Sequence, residues 1–105
     1  MNSLRSILLS ASALLVTLVV VSACETAPPV QEMSDARQAI AVAREAGAEE
    51  RAPEELFEAE RFLESAEQKL SDEQYAEARR DALQAKSKAL VARERSETSD
   101  PEKEE

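Results

Sequence analysis

Alanine returns at alternating intervals of three and four residues along most of this 105-residue chain, and glycine occurs once, at Gly47. A repeat of about 3.5 residues lines one side of a helix; on a strand it would scatter over both faces. Met33, Ala36, Ile40, Ala43 and Gly47 form the first run. Leu56, Ala59, Leu63, Ala66 and Leu70 form the second, with Phe57 and Phe62 widening the stripe. Tyr75, Ala78, Ala82, Ala85, Ala89 and Ala92 form the third, flanked by Ala76, Leu83 and Leu90 at steps of seven. The expected fold is all-α: an antiparallel helical hairpin or an elongated three-helix bundle with alanine-rich heptad packing.

Local signals divide the runs. Ser34 suits an N-cap for the first helix, and Gly47 suits its end because glycine enters the left-handed region without steric cost. Ala52-Pro53-Glu54-Glu55 opens a second helix with proline at its first position and carboxylates at the positive end of the dipole. Ser71-Asp72-Glu73-Gln74 reads as a capping box for a third. The second helix is expected over about 53–70 and the third over about 72–96, and so short a turn folds them back into an antiparallel pair.

The core is expected to be thin. Beyond Cys24 only Val30, Met33, Ile40, Val42, Leu56, Phe57, Phe62, Leu63, Leu70, Tyr75, Leu83, Leu90 and Val91 exceed alanine among its apolar candidates. At about 1.5–3 kcal/mol for each fully buried side chain, they barely offset the entropy of ordering the chain. Charge supplies register: Glu54, Glu55, Glu58, Glu60, Glu64 and Glu67 stand on the second helix, and Arg79, Arg80, Lys86, Lys88, Arg93 and Arg95 on the third. The two sets either pair across the hairpin or remain two solvated faces, and each exposed pair is worth about 0–1 kcal/mol.

Cys24 is the only cysteine. Before it, Met1–Ser6 carries Arg5 as its single charge, and Ile7–Val21 is a 15-residue stretch without charge. Spanning helices need about 20 apolar residues, so this stretch suits the core of a signal peptide. Val21-Ser22-Ala23-Cys24 closely resembles the signal of bacterial lipoproteins. The resemblance implies cleavage between Ala23 and Cys24 and a diacylglycerol thioether on Cys24. An ordinary secretory signal cut near Ala23, or an uncleaved anchor helix, are the alternatives. Two or more acyl chains hold a protein stably where one gives marginal binding.

The organisation expected is a signal peptide over 1–23, a lipidated N-terminus and proline-containing tether over 24–33, a helical domain over 34–96 and a disordered acidic tail over 97–105. Glu25, directly after the cysteine, leans by resemblance toward outer-membrane sorting over inner. From residue 24 onward, 12 Lys and Arg face 22 Asp and Glu, a net charge of −10. Nucleic acid is thereby disfavoured as a partner, and so is an anionic surface for the body itself.

The pattern Ala39-Ile40, Ala43, Ala46-Gly47-Ala48, Ala52-Pro53, Leu56, Ala59, Leu63, Ala66, Tyr75, Ala78, Ala82, Ala85 resembles an alanine-rich family of domain-of-unknown-function lipoproteins from Gram-negative bacteria. The likeness covers about residues 34–95, and the Ala-Gly-Ala…Ala-Pro…Leu connector is its distinctive part. It implies a helical domain found alone or ahead of an OmpA-like peptidoglycan-binding domain, with no assigned catalytic residues. No second domain is expected in this chain, so peptidoglycan binding is not carried over. Tyr75, Ala78 and Ala82 also resemble half of a tetratricopeptide repeat, but one unit makes no solenoid. The small murein lipoprotein shares the anchor and helical body, yet ends in a lysine for cell-wall attachment, whereas Lys103 is not terminal.

No catalytic constellation stands out. Histidine is absent, which removes the commonest general base and transition-metal ligand together. Glu54 and Glu58 could cooperate or hold Ca2+, but on a glutamate-rich face they read as solvated charge. Tyr75 reads as a packing anchor. The expected function is that of a non-enzymatic, membrane-anchored periplasmic lipoprotein presenting a helical protein-interaction surface, as adaptor or envelope structural component. The alternative is a carrier or sensor binding an apolar or peptide ligand between its helices. No metal or cofactor is expected beyond the lipid on Cys24; the expected partners are the membrane and either another protein or a second copy.

Overall fold

The computed structural model describes residues 2–8 and 27–99. Residues 2–8 are helical, with Leu4, Ile7 and Leu8 exposed. The body holds four helices: α1 (Val30–Glu45), α2 (Ala48–Arg51), α3 (Pro53–Ser71) and α4 (Tyr75–Thr98). The described residues contain no strand.

Helix α1 begins four residues ahead of Ser34, inside the segment expected as tether. Pro29 occupies the N-cap, its carbonyl accepts the Met33 N–H at 3.1 Å, and its ring is buried. Proline blocks a helix only from within; at the cap its missing N–H costs nothing. Ser34 is therefore an exposed residue of the helix interior. At the other end Gly47 adopts φ +88° and its N–H bonds the Arg44 carbonyl at 2.9 Å, the left-handed ending the glycine implied. The connector then adds a helix the periodicity did not announce: α2 is a single turn, with Ala48 and Ala52 buried at its two ends.

Pro53 opens α3 at its first position, as its sequence requires. The capping box after it does not form. The Ser71 hydroxyl turns back to donate to the Glu67 carbonyl at 3.1 Å, and Ser71 is the last residue of α3. A Schellman ending takes the place of the box: the Gln74 N–H reaches the Lys69 carbonyl at 2.8 Å and the Glu73 N–H the Leu70 carbonyl at 3.1 Å. That ending satisfies two orphan carbonyls, whereas the box would have satisfied N–H groups of the next helix, and it requires Glu73 at φ +61°. Helix α4 consequently starts at Tyr75 and runs to Thr98, two residues into the segment expected as tail; Ser96 is fully buried. The remaining tail, residues 100–105, lies outside the described residues, as do Ala23 and Cys24.

Ion pairs fix the directions. Across α3 and α4, Lys69 meets Asp81, Glu58 meets Lys88 at 2.7 Å and Glu55 meets Arg95, so one index falls as the other rises. Arg37–Glu67 and Arg44–Glu60 give the same antiparallel order between α1 and α3. Arg79–Glu32 and Lys86–Asp35 run in step, making α1 and α4 parallel. The result is an up-down-up three-helix bundle in which α4, the longest helix, packs on both others and most extensively on α3. The acidic α3 thus serves two neighbours: Glu60 and Glu67 go to arginines of α1, not to α4.

Alanine dominates the core. Ala36, Ala43, Ala48, Ala59, Ala66, Ala78, Ala82, Ala85, Ala89 and Ala92 are completely buried, while Met33, Ile40 and Leu56 are the only larger apolar side chains of the three helices to be buried. Val30, Phe57, Leu83 and Leu90 are exposed, and the other expected core residues are half-buried. Alanine lines most of each seam, and apart from Met33, Ile40 and Leu56 the larger apolar side chains lie along its flanks or outside it.

Candidate functional site

Asp81 interrupts the alanine row of α4 between Ala78 and Ala85, and this register points its carboxylate toward α3. It is 8% exposed, the one buried ionisable side chain among the described residues. Ser65 Oγ donates to Asp81 Oδ2 at 2.7 Å and Lys69 Nζ donates to the same oxygen at 2.6 Å. Burial by itself would raise the Asp81 pKa. The hydrogen bonds from Lys69 and Ser65, together with the charges of Lys69 and Arg80, outweigh it and hold the carboxyl below its ordinary value.

These residues form the floor of an open groove of about 480 Å3 between α3 and α4, walled by Glu58, Arg61, Phe62 and Lys88. Phe62 is its only apolar wall. Arg61 is turned onto the Phe57 ring, 5.9 Å from its centre, and Glu58 is taken by Lys88 at 2.7 Å. Glu58 is therefore committed to an ion pair across the helices, and Glu54 stands exposed one turn earlier. No three His, Cys, Asp or Glu side chains converge to hold a metal ion among the described residues. Ser65 and Lys69 both converge on Asp81 Oδ2, which fixes the electrostatics of the groove floor.

A second arrangement lies at the N-terminal end of the body. Arg79 Nη2 donates to the Ala27 carbonyl and Arg79 Nε to Glu32 Oε1, both at 3.0 Å. Two hydrogen bonds from one guanidinium clamp the chain entering α1 to the first turns of α4. Tyr75 is half-buried at the start of that helix.

The sequence reading did not single out Asp81. The available signal was positional: it lies three residues after Ala78 and four before Ala85, within the buried stripe. Arg79 stood in the basic set of α4, but its partners across 47 and 52 residues carry no local signature.

A family model described as Domain of unknown function (DUF4398) matches residues 31–105. The chain belongs to this family. The DUF4398 match begins within the first turn of α1 and takes in all four helices of the body, so the bundle is the structural unit of the domain here. No curated protein and no solved structure matches the chain.

Proposed function

We propose that this DUF4398 chain is a non-enzymatic lipoprotein, anchored through Cys24, whose three-helix body presents a protein-interaction surface in the periplasm as an adaptor or envelope structural component. The observation that carries the anchor is the run Val21-Ser22-Ala23-Cys24 at the end of an uncharged stretch. The outer membrane is the favoured site because Glu25, not Asp, follows the cysteine.

The geometry of the body is consistent with that role. Arg79 already holds Ala27, only three residues after Cys24, and three residues of extended chain reach about 10 Å. A body so tethered stays against the bilayer. Because α1 and α4 are parallel, Thr98 lies at the opposite end, and the 24 residues of α4 cover about 36 Å. The carrier reading draws less support from the groove between α3 and α4, where Phe62 is the one apolar residue among charged and polar ones.

Metabolic labelling with a fatty acid and fractionation of cells test the anchor. The wild-type protein takes up label and sediments with membranes; Cys24→Ser abolishes labelling and leaves an uncleaved product. Labelling that persists in the variant overturns the assignment of Cys24. Crosslinking in intact cells tests the interaction role, and a chain that never crosslinks to protein counts against it.

A further inference from the structure

Helix α4 carries two heptad faces, and only one of them is consumed by the bundle. Ala78, Asp81, Ala82, Ala85, Ala89, Ala92 and Ser96 point inward. Ala76, Arg80, Leu83, Ser87, Leu90 and Glu94 follow one another at steps of four and three on the outer side, and all six are exposed. Leu83 and Leu90 leave 51% and 48% of their surface uncovered, seven residues apart on the same outer face. Leu90 also borders a shallow groove toward α1 in which Ala39 and Val42 lie among the polar Asp35, Gln38, Lys86 and Arg93.

The stripe centres on Ser87, with a leucine on either side and charges of opposite sign seven residues away in each direction. Leu83 and Leu90 flank that serine, and Arg80 and Glu94 flank the leucines. We infer that this face binds a second copy of the chain, the two α4 helices lying antiparallel across a two-fold axis near Ser87. Leu83 then packs on Leu90 of the other copy, twice by symmetry, and Arg80 meets Glu94 of the other copy, also twice. The small serine at the axis lets the helices approach. Neither Arg80 nor Glu94 makes a hydrogen bond or ion pair within its own chain among the described residues, although the Arg80 charge also acts on Asp81. A parallel pairing would set Arg80 against Arg80 and Glu94 against Glu94, and like charges placed opposite one another oppose it. Charge thus selects the antiparallel order over the parallel one.

The inference gives the proposed interaction surface its partner and does not depend on lipidation. It carries a geometric consequence for an anchored protein: the Ala27 ends lie at opposite extremities of the dimer. For both anchors to enter one bilayer, the two-fold axis must stand along the membrane normal.

Sedimentation equilibrium of the full mature chain, in density-matched detergent at low ionic strength, tests the dimer. We expect reversible dimerisation, with Leu83→Gln and Leu90→Gln together abolishing it while helix content is unchanged, because both side chains are exposed. Arg80→Glu alone and Glu94→Arg alone each lower the association constant by about tenfold, and combining them restores it. A chain that stays monomeric at about 100 μM overturns the proposal. So does a dimer insensitive to the single reversals, which is the behaviour of a parallel pair or a different face. Loss of fatty-acid labelling in Cys24→Ser moves independently of all these results.

Discussion

Lys69 Nζ lies 2.6 Å from Asp81 Oδ2, joining the last turns of α3 to the second turn of α4. With Ser65 at 2.7 Å, it satisfies a carboxylate set into a row of buried alanines. Asp81→Ala leaves an ammonium and a hydroxyl without their acceptor. Lys69 keeps 33% of its side chain in water, so the cost falls short of that for a fully buried pair. We expect a loss of about 1–3 kcal/mol by urea unfolding, and a smaller one for Ser65→Ala. A wild-type stability for Asp81→Ala would show that the cluster adds nothing net.

The same cluster sets a pH dependence. Burial acts to raise the Asp81 pKa, but the Lys69 and Ser65 hydrogen bonds and the Lys69 and Arg80 charges prevail, and the folded value lies below the ordinary one. In the unfolded chain an aspartate titrates near about 3.9. The unfolded state therefore takes up its proton first as pH falls. The stabilisation is whole above the unfolded value and is lost as pH drops through the depressed folded one. The stability gap between wild type and Asp81→Asn should be widest above about pH 5 and narrow steadily below pH 4. A gap that stays constant from neutral pH to about 2.5 would place its origin elsewhere than in ionisation.

Two turns use the left-handed region, one with glycine and one without. Gly47 sits at φ +88° and Glu73 at φ +61°. A side chain in that region costs about 1–2 kcal/mol, partly offset by the greater freedom glycine has when unfolded. Glu73→Gly should therefore raise stability by about 1 kcal/mol, and Gly47→Ala should lower it by a similar amount. A Cβ at Gly47 would meet Arg51 Nη1 at 3.4 Å, the mobile end of a long side chain, so the penalty is one of backbone conformation. Thermal unfolding of the two single variants, shifting in opposite directions, checks the pair.

Periodicity made the helices legible because it is a property of one face of one segment. The alanine rows of α1, α3 and α4 are buried along the positions their spacing marked. What spacing cannot carry is the distance between helices. Phe57, Leu83 and Leu90 lie beside the alanine stripes in the sequence, yet they stand off the faces that turn inward and are left exposed. Capping was legible where glycine or proline forced it, at Gly47 and Pro53, and misleading where a serine merely permitted it. Ser34 is a helix-interior hydroxyl and Ser71 the last residue of α3, displaced as caps by Pro29 and by the Schellman ending at Glu73. Asp81 was hidden because a lone carboxylate in a charged sequence looks solvated until its neighbours at three and four residues are seen to be buried. Cys24 is the reverse case: its reading comes wholly from the residues before it.

Close approach at the seams makes a last prediction about size. Ala82 is fully buried with Met33 and Ala66, and Leu70 packs beside them. The three helices meet here over the methyl groups of Ala66 and Ala82 and the side chain of Met33. Leucine at 82 would add three carbons where no flank is open to receive them, forcing either an off-rotamer side chain or separation of the axes. Ala82→Leu should cost about 1–3 kcal/mol, and Met33→Ala, which opens a cavity in the same cluster, about 2–4 kcal/mol. Ala41→Leu, on the exposed side of α1, makes the same chemical change with an effect within about 0.5 kcal/mol. Chemical denaturation of the three variants separates the cases. If Ala82→Leu proved as stable as Ala41→Leu, the seam would be loose enough to accept larger residues.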